Sequence, residues 1–346
     1  MVDENNHIET EILHLALDAL KKNVPMDVEI KTEQKAEKTL RADFLLRMEL
    51  QGRRARFHAE VKTNVTRPYI AVMLHRKQAY PHKILLVTRY VNGQMAEHLK
   101  ENGIEFIDTA GNAYIHRPPL FIFIKGNKPV DHLPHIPHKR AFKPTGLRVV
   151  YAFLRTPGLE NKPYRNIADA ADVALGTVGW LMRELRELGY LLDMGKRGNK
   201  IVRKELLFQR WVAEYPEKLR PKQFLGRFRG DPGWWQKAEL GHVHALWGGE
   251  VAAAKLTKYL KPQAVTLYTT RPHLNQLLLQ YRLKKDINGD VEIIERFWKP
   301  TEQEQNQDMV HPILIYADLV ATNNQRNMET AKVIYEQHIL RLIRED

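Results

Sequence analysis

The stretch RNIADAADVALGTVGWLMRELRELGYLLDMGKRGNKIVRK, residues 165–204, decides how this chain is read. Residues 167–171 predict a short helix, and Val173, Ala174, Leu175 and Gly176 a tight turn. Thr177 then stands as the N-cap of a second helix that runs to about Leu188, where Gly189 stops it. Along that second helix Val178, Leu181, Met182, Leu185 and Leu188 recur at three- and four-residue steps, so they form the buried stripe. The opposite face carries Thr177, Trp180, Arg183, Glu184 and Glu187, with Arg186 at its flank. Residues 190–193 pair as a strand with 200–203, and GKRGN, 195–199, makes the turn between them. Two helices, a strand, a basic loop and a strand in this order spell a winged helix-turn-helix. Its second helix would enter a DNA major groove, with Thr177, Trp180, Arg183 and Arg186 near bases or flanking phosphates. Lys196, Arg197 and Lys200 of the wing, and Arg165 ahead of the first helix, suit phosphate contacts.

A helical hairpin, or a winged helix turned to protein contact, produces the same pattern. Charge distinguishes them. Residues 139–230 hold 20 Lys and Arg against 9 Asp and Glu, which is +11 of the chain's formal +13. Almost the whole basic excess therefore surrounds this element, as a polyanion partner requires, and its concentration favours nucleic acid over a membrane surface.

At 346 residues the chain is long enough for two or three domains with proper cores. It contains no cysteine, which excludes disulfides, thiolate zinc sites and thiol nucleophiles. No apolar run approaches the roughly 20 residues that cross a bilayer, and the first residues, MVDENNHIETE, are polar and acidic. The expectation is a cytoplasmic protein with no membrane segment.

Ahead of the basic region, residues 8–21 predict an amphipathic helix. Residues 41–50, the dipeptide Gln51-Gly52 and residues 53–62 predict a hairpin. Counting back from a Leu50–Arg53 pair, Asp43 lies opposite Glu60, and Lys62 projects from the same face as Glu60. One carboxylate from each strand with a lysine two residues on is the arrangement of the PD-(D/E)xK nuclease core. There the acids hold a divalent metal, Mg²⁺ or Mn²⁺, and the lysine positions the attacking water. On this reading Asp43 and Glu60 are the metal ligands, Lys62 is catalytic and Glu11 on the first helix is a fourth member. Charged residues also alternate on any half-solvated strand, so a solvated face stands beside this reading. Residues 84–90, 93–101 and 104–108 then predict a βαβ unit, followed by a turn at Gly111-Asn112 and a strand at 120–125. This order matches a restriction-endonuclease-like domain. Asp108 and Asn112 are explained by a turn as well as by a function.

Residues 129–144, rich in Pro and His, read as a linker, and their prolines argue against His132, His135 and His138 aligning as metal ligands. A helix beginning after Thr145 opens the DNA-binding domain. Arg220, Lys222, Arg227 and Arg229 extend its phosphate-binding strip. From Gly233-Trp234-Trp235 onward the pattern is mixed: a helix after Gly248-Gly249-Glu250, strands at 264–270 and 291–298, and helices around 313–322 and 328–343. Asp318 stands alone, without the Gly-Ser and paired aspartates of a nucleotidyltransferase.

GIEFIDTAGNAYI (103–115), IADAADVALGTVGWLMRELRELGYL (167–191), WGGEVAAAKLTKYLKPQAVTLY (247–268) and HPILIYADLVATNNQRNMETA (311–331) together resemble the AbiEi-type antitoxins. These are transcriptional regulators of type IV toxin–antitoxin, or abortive-infection, systems. The resemblance implies a repressor that binds its own promoter through the winged domain and needs no cofactor for regulation. Its C-terminal part would oppose a partner toxin of nucleotidyltransferase type without necessarily touching it. A palindromic operator would favour a homodimer. Family members often begin directly with the winged domain, whereas here a nuclease-like segment precedes it.

The expected architecture is therefore an α/β multidomain chain. It comprises a restriction-endonuclease-like α/β domain over 1–128, a linker over 129–144, a winged helix-turn-helix over 145–230 and an α+β C-terminal domain over 231–346. Three functions compete: a DNA-binding regulator, a metal-dependent nuclease delivered to DNA by its winged domain, and a protein-binding module at the C-terminus.

Overall fold

The computed structural model describes residues 3–31, 44–50, 52–62, 65, 69–70, 73, 84–118, 120–129, 140–300, 307–322 and 324–344. The chain is mixed α/β and forms two compact units, 1–136 and 137–346.

The first unit is built on a seven-stranded sheet whose strands follow chain order. Helix α1 (Asp3–Asn23) buries Ile12, Leu13, Ala16, Leu17 and Leu20, spaced along a single stripe, against inward residues of the sheet. Each fully buried aliphatic side chain contributes roughly 1.5–3 kcal/mol before entropy is counted. Strands β1 (Asp27–Lys31), β2 (Phe44–Leu50) and β3 (Arg53–Lys62) form an antiparallel meander. The hairpin keeps the Leu50–Arg53 pairing counted from the sequence and extends back to Phe44–Ala59. Asp43 lies outside the described residues. Strand β1 was not anticipated: DVEIK offers only Val28 and Ile30 to the core, too short an alternation to stand out after a helix.

Strand β4 (Ile84–Thr88) runs parallel to β3, and β5 (Glu105–Asp108) parallel to β4. The crossover helix between them, α2 (Gly93–Glu101), is capped by Asn92, whose side chain accepts from Met95 N at 2.8 Å. Strands β6 (Ala113–Arg117) and β7 (Leu120–Ile124) return antiparallel.

The second unit opens with a 3₁₀ turn, Arg140–Phe142, and α3 (Pro144–Arg155). The end of the segment expected to be a linker is thus packed into this unit, with Ala141 and Phe142 buried. His132, His135 and His138 lie outside the described residues. There follow a 3₁₀ turn (Leu159–Asn161), α4 (Tyr164–Ala170), α5 (Leu175–Glu187) and a two-stranded sheet of β8 (Leu191–Asp193) and β9 (Asn199–Ile201). Helix α6 (Lys204–Glu214) continues through a π turn, Tyr215–Leu219, into α7 (Arg220–Gln223).

The last part is a five-stranded sheet with helices packed on it. It contains β10 (Phe224–Arg229), β11 (Leu246–Gly248), β12 (Val265–Thr269), β13 (Lys284–Lys285) and β14 (Val291–Glu295), in the order β11-β12-β14-β10-β13. Its helices are α8 (Gly249–Thr257), α9 (Arg271–Gln280), α10 (Pro312–Ala321), α11 (Gln325–Ile334) and α12 (Leu340–Arg344). Residues 313–320 of α10 are all buried, because ILIYADLV is apolar on nearly every side. Strand β10, expected to trail from the DNA-binding segment, pairs with β14 and β13 instead. The join between the two parts is an aromatic core. Trp211 lies between Tyr151 and Tyr215 at 5.2 and 4.9 Å, while Phe297 and Trp298 meet Tyr151 at 5.2 and 5.4 Å.

Candidate nucleic-acid interface

Helix α5 buries Val178, Leu181, Met182 and Leu185, as its spacing predicts. It starts earlier than expected. Ala174 is its N-cap, without a side-chain cap, and Thr177 sits in the first turn with its N–H donating to Ala174 O at 2.9 Å. The reason is that Asp172, at φ 51°, completes the bend between α4 and α5, so Leu175 already has helical backbone. Leu175 is left 52% exposed at the helix start. Arg183 and Arg186 are exposed, and Thr177 and Trp180 half-buried. Glu184, expected on the open face, is turned to the protein: its Oε2 accepts from Ala141 N at 3.1 Å.

Strands β8 and β9 pair in the anticipated place, and Gly195 (φ 61°) and Gly198 (φ 79°) supply the left-handed backbone of the loop between them. Lys196, Arg197 and Lys200 are exposed on that loop and its second strand, as is Arg165 on α4. None of these four, nor Arg183, has an ion-pair partner among the described residues. Arg186 differs, because its Nη2 donates to Asn199 Oδ1 at 2.9 Å. Asn199 N donates to Asn161 Oδ1 at 2.6 Å, Asn161 Nδ2 donates to Asn199 O at 2.8 Å, and Asn199 Nδ2 donates to Glu160 O at 3.3 Å. Sequence reading missed Asn161 and Glu160, because nothing local marks a residue 38 positions from its partner as part of the loop.

Most of the basic strip expected to follow is engaged internally. Arg220 holds Glu292 at 2.7 Å and Asp318 at 3.2 Å, Arg227 also pairs with Glu292, and Arg229 pairs with Asp286 at 2.6 Å. The cause is topological: β10 lies inside the sheet, beside acidic residues of neighbouring segments. Lys222 alone of the four is an exposed side chain of α7 outside these pairs. Asp318, isolated in sequence, accepts from the Tyr268 hydroxyl at 2.8 Å and the Tyr215 hydroxyl at 3.3 Å. Burial pushes the Asp318 carboxyl up, opposed by the Arg220 guanidinium, and burial beside Asp318 pushes both tyrosines well up. Glu250 is occupied likewise, accepting from Gln263 N at 2.7 Å, Arg326 Nη2 at 3.0 Å and Asn327 Nδ2 at 2.9 Å. These networks tie loops to helices.

In the first unit Glu60 and Lys62 do come together, with Nζ 3.0 Å from Glu60 Oε1. The same oxygen accepts from the Tyr69 hydroxyl at 2.9 Å, and Glu60 is 1% exposed. Glu11 is half-buried on α1. Among the described residues no three His, Asp or Glu side chains converge at metal-ligand spacing, and the Glu60 oxygen is already shared by two donors. Glu60 Oε1 is thus held by Lys62 and Tyr69, and Asp43, its expected fellow ligand, lies outside the described residues. Asp108 serves the turn: its oxygens accept from Val91 N, Ala110 N and Asn112 N at 2.8, 2.9 and 2.8 Å, with Gly111 at φ 83°. Burial raises its pKa against those bonds.

Residues 200–340 match the family described as "Transcriptional regulator, AbiEi antitoxin, Type IV TA system". The matched segment runs from the second strand of the basic loop through α11 and leaves α4 and α5 outside. No curated protein and no solved structure shows significant similarity to the chain. No helix among the described residues is long and apolar enough to cross a membrane.

Proposed function

We propose that this protein is a DNA-binding transcriptional regulator, the autorepressing antitoxin of a type IV toxin–antitoxin system, and that residues 140–203 act as a winged helix-turn-helix. The observation that carries this is a contrast in the fate of the cations. Those of β10 and α7 are largely paired with carboxylates of the chain, whereas Arg165 on α4, Arg183 on α5 and Lys196, Arg197 and Lys200 on the loop and its second strand stand exposed with no ion-pair partner among the described residues. Exposed, unpaired cations are what a duplex backbone recruits, with release of its condensed counterions. In this reading α5 lies in the major groove. Thr177, Trp180 and Arg183 face base edges, and Leu175 offers an apolar contact to a thymine methyl. Arg165, Lys196, Arg197 and Lys200 hold phosphates and set the register. The segment matched to the antitoxin family supplies the biological setting, in which the partner is a toxin of nucleotidyltransferase type. A homodimer on a palindromic operator completes the reading.

The first unit, in this view, keeps a restriction-endonuclease-like framework without its chemistry, because Glu60 is committed to Lys62 and Tyr69. The competing reading, a Mg²⁺- or Mn²⁺-dependent nuclease built on Asp43, Glu60 and Lys62, predicts cutting that disappears in Glu60→Ala.

The test uses the full chain and a short duplex from just upstream of its own coding sequence, beside an unrelated duplex, over a series of salt concentrations with and without Mg²⁺. Tight, salt-sensitive binding of the upstream duplex without cutting is expected. Lys196→Ala and Arg197→Ala should weaken both duplexes and reduce the salt slope by about 0.9 each. Arg183→Ala should cost about 1–3 kcal/mol on the upstream duplex alone. Equal affinity for the two duplexes, or no loss when all three residues are replaced, would sink the reading, and metal-dependent cutting lost in Glu60→Ala would replace it with the nuclease.

A further inference from the structure

We infer that Asn161 and Asn199 are positioning residues for DNA binding: they hold the basic loop in one posture before DNA arrives, and Arg186 acts through them rather than on a base. The inference rests on the DNA-binding reading above and adds a division of labour to it.

The basic loop is closed on itself by Met194 N donating to Gly198 O at 2.7 Å and Gly198 N to Gly195 O at 2.9 Å, and its ribbon is short. Strands β8 and β9 share three residue pairs, and an isolated ribbon of that size is not stable in water. Asn161, on the turn ahead of α4, supplies what a third strand would. Its side-chain amide makes both bonds of a backbone partner, accepting from Asn199 N at 2.6 Å and donating to Asn199 O at 2.8 Å. The side chain of Asn199 then reaches two further places, the Glu160 carbonyl at 3.3 Å and Arg186 Nη2 at 2.9 Å on α5. One residue of the loop is thereby bonded to both the turn before α4 and the outer face of α5. Gly198 is part of the same fit, because at φ 79° a Cβ there would run into Asn161 Oδ1. Lys196 and Arg197 sit immediately before this clamped point.

A loop ordered in advance pays less conformational entropy on binding, so its cations count for more. Arg186 has its guanidinium committed to Asn199, with Asn199 Oδ1 as the acceptor, so its contribution passes through the loop's posture. The two roles leave different signatures. A cation on a phosphate releases counterions and sets the slope of affinity against salt. A positioning residue changes affinity at every salt concentration and leaves the slope alone, since the same phosphates are contacted once the complex has formed.

The experiment measures the Kd of the full chain for the upstream and unrelated duplexes across a salt series. It compares the wild type, Asn161→Ala, Asn199→Ala, Arg186→Ala and the double variant R186A/N199A. Asn161→Ala and Arg186→Ala are expected to weaken both duplexes by about three- to tenfold with an unchanged salt slope. The double variant should bind no more weakly than the worse of its single variants, because the bond lost in Arg186→Ala is already lost in Asn199→Ala. The inference is overturned if Arg186→Ala flattens the slope by about 0.9, if the effects of Arg186 and Asn199 add, or if Asn161→Ala binds as the wild type does. Stoichiometric titration and the thermal midpoint identify variants that misfold. Should Asn161→Ala be one of them, Asn161→Asp, which keeps the acceptor and loses the donor, is expected to show a smaller parallel loss, and wild-type affinity in it overturns the inference equally. Failure of the DNA-binding reading itself looks different: the wild type then does not bind, or Lys196→Ala and Arg197→Ala leave the slope unchanged.

Discussion

At the scale of the residue, burial decides what a charged side chain is for. Glu60 and Lys62 sit two apart on β3 and share a face, as the alternation of a strand dictates. Their spacing is that of a nuclease motif, yet Glu60 is 1% exposed and receives two donors on one oxygen. Such a carboxylate is costly to remove, since its loss takes an acceptor from the Lys62 ammonium and from the Tyr69 hydroxyl. Glu60→Ala is therefore expected to destabilise the first unit by about 1–3 kcal/mol, read as a lower denaturant midpoint. An unchanged midpoint would mean that Glu60 is not tied in as described. The same reasoning separates Arg183, exposed, from Arg220, which bridges two carboxylates.

At the scale of the element, caps and bends set where helices begin. Helix α5 opens at Leu175 rather than behind Thr177, because Asp172 turns the chain with a left-handed backbone and no side-chain cap is needed there. Helix α10 depends on a titratable cap: His311 Nδ1 accepts from Ile313 N at 3.3 Å. Burial, with the Arg155 guanidinium adding to it, pushes His311 down to about 4 from its ordinary 6.5. The folded chain thus binds this proton less readily than the unfolded chain. The stability it contributes is complete above about pH 6.5 and is lost progressively as pH falls towards 4, amounting to about 3 kcal/mol at most. A fall in the thermal midpoint of the second unit across this window, blunted in His311→Asn, which keeps a capping acceptor and does not titrate, is the expected result. The same pH dependence in both proteins would locate the effect elsewhere.

At the scale of the whole molecule, the second unit is held together by rings contributed from its two ends of sequence. Tyr151 and Trp211 come from the segment that carries α4 and α5, Phe297 and Trp298 from the end of the five-stranded sheet, and Arg155 donates to Lys299 O at 3.1 Å across the same join. Cutting the chain between them would expose large apolar rings. A fragment of residues 137–232 is expected to bind a hydrophobic dye and to lack a cooperative melt, whereas 137–346 should unfold in one transition. A well-folded 137–232 fragment would show that the shared rings are dispensable.

Local pattern was enough for what local physics governs. The stripe of Val178, Leu181, Met182 and Leu185, the β2–β3 register from Leu50–Arg53, the crossover helix α2 and the glycine-flanked basic loop all follow from side-chain periodicity and backbone preference within a few residues. The concentration of positive charge around α5 was also a property of composition alone. Tertiary structure decided which of those charges find a carboxylate. Arg220, Arg227 and Arg229 found Asp318, Glu292 and Asp286 across the sheet, and Asn161 found Asn199 across 38 residues. Those partners are set by chain crossings, and a linear pattern carries no signal for them: a cation reads the same in sequence whether a carboxylate waits beside it or a phosphate is to arrive.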